Sequence, residues 1–151
     1  MTTGRAATLV DAGPLVAILH RDDADHGVCV ETLKTLRGAL VTTWAPIVEA
    51  IYLLGFSARA QDALLEMIHR GVLEVLQLGD ADVPRLRHFM RKYRDLPMDF
   101  ADATLVHAAE REGIRRIFTL DRRDFGVYRV GPGRGSKLAI VPRQATRRAR
   151  K

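Results

Sequence analysis

The 151 residues suit one domain of ordinary size, with room for a core that needs no disulfide or metal staple. Nearly half of them (47%) are apolar and only 6% aromatic, and the single cysteine, Cys29, excludes an internal disulfide and makes no cysteine-based zinc site. No apolar run reaches the roughly 20 residues of a membrane-spanning helix, and Asp11 and Pro14 interrupt the early run a secretory leader would need, so a cytoplasmic protein is expected.

The net charge of +6 is unevenly spread. Residues 1–84 carry 6 Lys/Arg against 11 Asp/Glu, a net of −5, whereas residues 85–151 carry 18 against 7, a net of +11. Basic residues gather at Arg85, Arg87, Arg91, Lys92 and Arg94, at Arg122 and Arg123, and in the tail from Arg143 to Lys151. Such a half suits a polyanionic partner, because each neutralised phosphate releases counterions. It says nothing about catalysis.

In chain order, residues 7–10 read as a short buried strand that ends at Asp11, and Gly13-Pro14 opens a helix to His20. A helix is expected over residues 24–37, capped by Asp22 or Asp23 and stopped by Gly38. Residues 39–42 form a second strand. Thr43 is placed to cap a helix from Trp44 to Leu54, and Ser57 to cap another reaching Arg70. Residues 72–78 read as a third strand and residues 82–93 as a helix. Asp99 begins a helix that ends at Gly113, and residues 116–120 make a strand ending at Asp121. Residues 127–130 and 138–141 are further short strand candidates, on either side of a turn over residues 131–137.

Apolar strands alternating with helices predict a mainly parallel sheet covered on both faces, a three-layer α/β/α sandwich. Residues 1–142 are read as one domain and residues 143–151 as a disordered basic tail. In folds of this kind the ligand crevice lies beyond the carboxyl ends of the strands.

That edge is where the acids fall. Asp11 and Asp121 each follow a buried strand directly; either one alone reads as a helix cap, and the two together as the start of a metal site. Glu49 is the only charged side chain of the helix from Trp44 to Leu54, which is apolar nearly all round and so expected to be largely buried. A buried carboxylate needs a partner or a polar cleft. Asp99 fits the N-cap of its helix and Asp102 the third helical position, where capping accounts for Asp99 better than for Asp102. Asp124 stands as a secondary ligand or a turn cap. Carboxylates gathered in this way repel one another without a cation, and hard divalent ions such as Mg²⁺ or Mn²⁺ take oxygen ligands.

Other chemistries lack their signatures. The turn at residues 131–137 has Ser136 between Gly135 and Lys137, which breaks the phosphate-loop pattern. The five histidines show no zinc spacing, and His107 reads as a surface or packing residue of its helix rather than a base. Trp44 has the ring to stack a nucleobase, although an aromatic opening an apolar helix is more often core.

The segments Leu9-Val-Asp-Ala-Gly-Pro-Leu-Val-Ala17, Pro46-Ile-Val-Glu-Ala50, Asp102-Ala-Thr-Leu-Val-His-Ala-Ala109 and Thr119-Leu-Asp-Arg-Arg-Asp-Phe125 resemble, in order and spacing, the successive motifs of PIN-domain ribonucleases. The likeness is greatest to the VapC-like toxins of type II toxin–antitoxin pairs and covers residues 7–141. It implies a metal-dependent endoribonuclease that uses Mg²⁺ or Mn²⁺. The family's four acids fall on Asp11, Glu49, Asp102 and Asp121, with Asp99 and Asp124 as further ligands or caps. The residue after the first acid, which in the family is often a small hydroxyl, falls at Ala12 and Gly13. The resemblance also implies an RNA substrate, a homodimer and a small cognate antitoxin. The alternative is a non-catalytic module with the same fold, in which the acids are caps and the basic half binds nucleic acid or protein. A phosphotransfer receiver-like domain is a third reading, weakened by the scarcity of lysine before Lys92.

Overall fold

The computed structural model describes residues 6–96 and 98–143; the basic tail lies, after Arg143, outside the described residues. Five strands form one parallel sheet: β1 (Ala7–Val10), β2 (Ala39–Thr42), β3 (Leu73–Val75), β4 (Arg116–Phe118) and β5 (Ala139–Val141), in the order β3-β2-β1-β4-β5. β1 is central, pairing Ala7 with Ala39 of β2 on one side and Leu9 with Ile117 of β4 on the other. From β1 the chain winds outward through β2 and β3, then crosses to β4 and β5. The order of the strands therefore reverses between β1 and β4, and a crevice opens there at their carboxyl ends.

Alternating side chains of each strand serve the two faces. Leu9 and Ile117 pack with α5 (Val83–Lys92) and α6 (Phe100–Glu112), around Leu86, Phe89, Leu105 and Tyr128. Val10 and Phe118 pack on the opposite face with α1 (Ala12–Leu19), α2 (His26–Thr35), α3 (Trp44–Leu53) and α4 (Ala58–His69). A short helix, α7 (Arg122–Phe125), follows β4. Helices on both faces of a parallel sheet make the three-layer α/β/α sandwich that the strand–helix alternation predicts.

Several local expectations need correction. Residues 127–130 form no strand: Val130 makes one isolated antiparallel bridge with Ser136, and Tyr128 turns inward to become fully buried. The residue types there favour a strand, but Gly131, Gly133 and Gly135, all at positive φ, bend the chain before a ladder can form. β3 is shorter than residues 72–78. α2 starts at His26 after Asp25, and the Asp23 carboxylate accepts the Asp25 N–H (2.8 Å) instead of capping the helix. Gly38 does not stop α2. It sits at φ +84° against β1, where a Cβ would lie 2.1 Å from the Ala6 carbonyl oxygen, so only glycine admits the Ala39 N–H bond to that oxygen (3.2 Å). Thr43 occupies the N-cap position of α3 without a side-chain cap bond; its hydroxyl pairs with that of Thr104 (2.7 Å).

Candidate active site

Asp11 leaves β1 and becomes the N-cap of α1, its Oδ1 accepting the Ala12 N–H (2.8 Å). The Asp11 N–H donates to the Phe118 carbonyl (2.9 Å), which holds the end of β1 against the end of β4. One residue past the end of β4, the fully buried Thr119 spans the gap. Its hydroxyl donates to Asp11 Oδ2 (2.8 Å) and accepts the Asp121 N–H (3.0 Å). One side chain thus fixes two acids that lie 110 residues apart in sequence. Asp121 in turn caps α7, accepting the Asp124 N–H (3.1 Å).

α6 brings two more. Asp99 is its N-cap, with Oδ1 accepting the Asp102 N–H (2.7 Å). Asp102, in the first turn and buried, is not spent on a cap. Its Oδ2 accepts the phenol of Tyr128 (2.8 Å), and Tyr128 is wedged edge-on against Phe125 and Tyr93.

Glu49 corrects an expectation about burial. α3 buries Pro46, Ile47 and Ala50, but leaves Trp44, Val48, Tyr52 and Leu53 exposed, and Glu49 is exposed with them. An apolar helix need not be a buried one when part of its apolar surface faces outward. Glu49 nevertheless faces the acids.

Asp11, Glu49, Asp99, Asp102 and Asp121 line one cleft of about 440 Å³, together with Ala12, Gly13 and Leu120. Asp124 stands beside it: carboxylate oxygens of Asp102, Asp121 and Asp124 lie within 4.8 Å of one another. No basic side chain lines the cleft among the described residues. The electrostatic consequence follows. Burial, then the charges of Asp99 and Asp121, hold the Asp11 carboxyl above its ordinary range, despite hydrogen bonds from Thr119 and Ala12. Burial and the charges of Asp11 and Asp99 raise Glu49. Asp102 is pushed up to about 8 by burial, with Asp99 and Asp11 adding to the rise and the Tyr128 phenol opposing it. Burial and Asp121 raise Asp124. All-oxygen donors that repel one another, with no Lys or Arg beside them among the described residues, are what a hard divalent cation fits.

Two side chains of this site carry no role in the sequence reading. Thr119 had a signal, a hydroxyl in an apolar strand two residues before an acid. Tyr128 had none, because its partner lies 26 residues away on another element. His107 is a packing residue: it is buried on α6 with Nε2 2.7 Å from Asp82 Oδ1, away from the acid cleft.

The chain is 29% identical to Ribonuclease VapC26 of Mycobacterium tuberculosis over 136 residues, which cover 89% of this chain and 99% of that one. Its fold is similar to that of Mycobacterium tuberculosis VapC20, described as a sarcin-ricin loop cleaving toxin, with a TM-score of 0.71 at 19% identity over 77% of this chain and 91% of that one. It is also similar to a chain of a toxin–antitoxin complex from Klebsiella pneumoniae, with a TM-score of 0.58 at 14% identity over 80% and 91% of the two chains. The PIN domain family model matches residues 8–130, most of the chain, and the protein belongs to the PIN-domain family.

Proposed function

We propose that this protein is an endoribonuclease that hydrolyses RNA phosphodiester bonds with the aid of Mg²⁺ or Mn²⁺, and that it is the toxin of a toxin–antitoxin pair. The observation that carries this reading is the cleft itself: five carboxylates from four parts of the chain meet at the switch point of the sheet, with no cationic side chain among them in the described residues. The near full-length likeness to a ribonuclease supports the choice of substrate.

In this reading Asp11, Glu49, Asp102 and Asp121 hold the cation, with Asp99 and Asp124 as further ligands at its edge. When bound, the cation would supply positive charge against the negative charge that develops on the phosphate oxygens and would lower the pKa of a water bound to it. The chain's own task is placement. Thr119 fixes the Asp11 carboxylate and the start of the Asp121 turn, and Tyr128 holds one oxygen of Asp102 so that the other serves the cleft. The exposed stripe of Val48, Tyr52 and Phe56 (66%, 82% and 64% exposed) supports a protein partner, which we assign to a small antitoxin. A homodimer and a cytoplasmic location complete the proposal. Among the described residues, no helix is long and apolar enough to cross a membrane.

The test is cleavage of labelled single-stranded and structured RNAs by purified protein freed of any bound inhibitor. Cutting in Mg²⁺ or Mn²⁺ that stops in EDTA is the expected result. No cutting of any RNA by folded, metal-loaded protein overturns the reading, in favour of a binding module.

A further inference from the structure

A second cleft, of about 310 Å³, lies across the first turn of α6 from the acids. Phe100 and Thr104, one turn apart, line it, while Asp99 and Asp102 line the acid cleft. Trp44 at the start of α3 lines it too, and Leu76 and Val83 make it largely apolar. The two aromatics are unusually open to solvent, Trp44 at 47% and Phe100 at 56%. The buried hydroxyl pair of Thr43 and Thr104 (2.7 Å) ties together the helix starts that carry them. No Lys or Arg lines this cleft, and Asp80 is the one charged residue there among the described residues. Such a lining does not suit a phosphate; it suits a flat, neutral group that offers N–H donors.

The first turn of α6 separates the two clefts, so an RNA strand whose scissile phosphate sits among the acids has this second cleft beside it on the far side of that turn. We propose that Trp44 and Phe100 form a nucleobase subsite for an unpaired nucleotide flanking the scissile phosphate, with Asp80 as an acceptor for a base N–H. Aromatic faces hold bases of any sequence by stacking, and the carboxylate adds an edge to be read. The inference rests on the nuclease reading and adds to it where the substrate's bases go. Trp44 would then owe its exposure to RNA, not to the stripe of Val48, Tyr52 and Phe56 that it extends along α3.

Trp44 is the chain's only tryptophan, so its fluorescence reports on the cleft directly. The full chain carrying Asp11→Asn, which spares the RNA from cutting, is titrated with a short single-stranded oligoribonucleotide. Binding is followed separately by anisotropy of a dye-labelled copy. Saturable quenching of Trp44 is expected, together with about tenfold weaker binding by the Phe100→Leu variant, a change at an exposed position. An abasic oligonucleotide with the same phosphates should bind more weakly and leave Trp44 unquenched. RNA that binds by anisotropy while Trp44 stays silent, or an abasic strand that matches RNA, overturns the subsite and leaves the nuclease reading standing. Absence of RNA binding in both readouts sinks both. Quenching of Trp44 by a protein partner and not by RNA overturns the subsite in favour of a protein-docking cleft.

Discussion

Replacing Tyr128 with Phe removes one oxygen atom from a fully buried ring and leaves Asp102 Oδ2 without its 2.8 Å donor. Near neutral pH the Asp102 carboxyl, held up to about 8, is largely protonated, and stranding a buried partner of that kind costs about 1–2 kcal/mol, so a domain of this size should melt roughly 2–8 °C lower. The effect on metal binding has a distinct signature. The phenol opposes the rise of the Asp102 carboxyl to about 8. Without it Asp102 keeps its proton more tightly, and a cation must displace that proton to bind. Mn²⁺ affinity measured by titration calorimetry should fall about tenfold near neutral pH, the equivalent of one such bond, and the deficit should narrow as the solution is made alkaline. A variant that binds Mn²⁺ as the wild type does at every pH refutes this reasoning. So does a deficit that does not change with pH, because it would mean that the phenol acts on metal binding by some route other than the proton on Asp102.

Three further outcomes follow from the same contacts. Because the carboxyls of Asp11, Glu49, Asp102 and Asp124 are all raised, their contribution to stability is present at low pH and is lost as pH climbs through their folded values. In EDTA the protein should therefore melt higher at about pH 5.5 than at about pH 8.5, with Mg²⁺ stabilising it more at the higher pH; calorimetric scans showing the reverse order would contradict the repulsion described for the cleft. Thr119→Val keeps the shape of a buried side chain but deletes its bonds to Asp11 and Asp121, and should weaken Mn²⁺ binding and RNA cleavage together by about tenfold while costing about 1–2 kcal/mol in denaturant unfolding. Gly38→Ala should cost at least about 2 kcal/mol, since the new Cβ meets the Ala6 carbonyl at a left-handed position; unchanged stability would show that the β1–β2 junction is not as close as described.

The central strands were legible because each is a short apolar run closed by a polar residue, and that pattern puts Asp11 and Asp121 at one edge of the sheet. Burial of α3 was not legible in the same way. Pattern distinguishes apolar from polar faces, but it does not say whether an apolar face meets the chain's own core, and here Val48 and Tyr52 meet solvent. Residues 127–130 misled for a related reason: Tyr128 has strand propensity, yet its place is decided by Asp102, Phe125 and Tyr93, contacts no local window contains. The site itself divides along that line. Its acids follow from strand ends and helix starts, whereas the groups that aim them, Thr119 and Tyr128, depend on tertiary contact. Trp44 shows the same limit, because only the fold brings it to one cleft with Phe100.

The most direct test of the account compares the wild type with Asp11→Asn on the same RNAs, in Mg²⁺ or Mn²⁺ and in EDTA, with thermal melts to show that both proteins are folded. Metal-dependent cutting is expected of the wild type and none of the variant, because Asn keeps the side chain's shape but removes the charge of the carboxylate that Thr119 holds at the cleft. Cleavage by the pure, folded variant at the wild-type rate would contradict it.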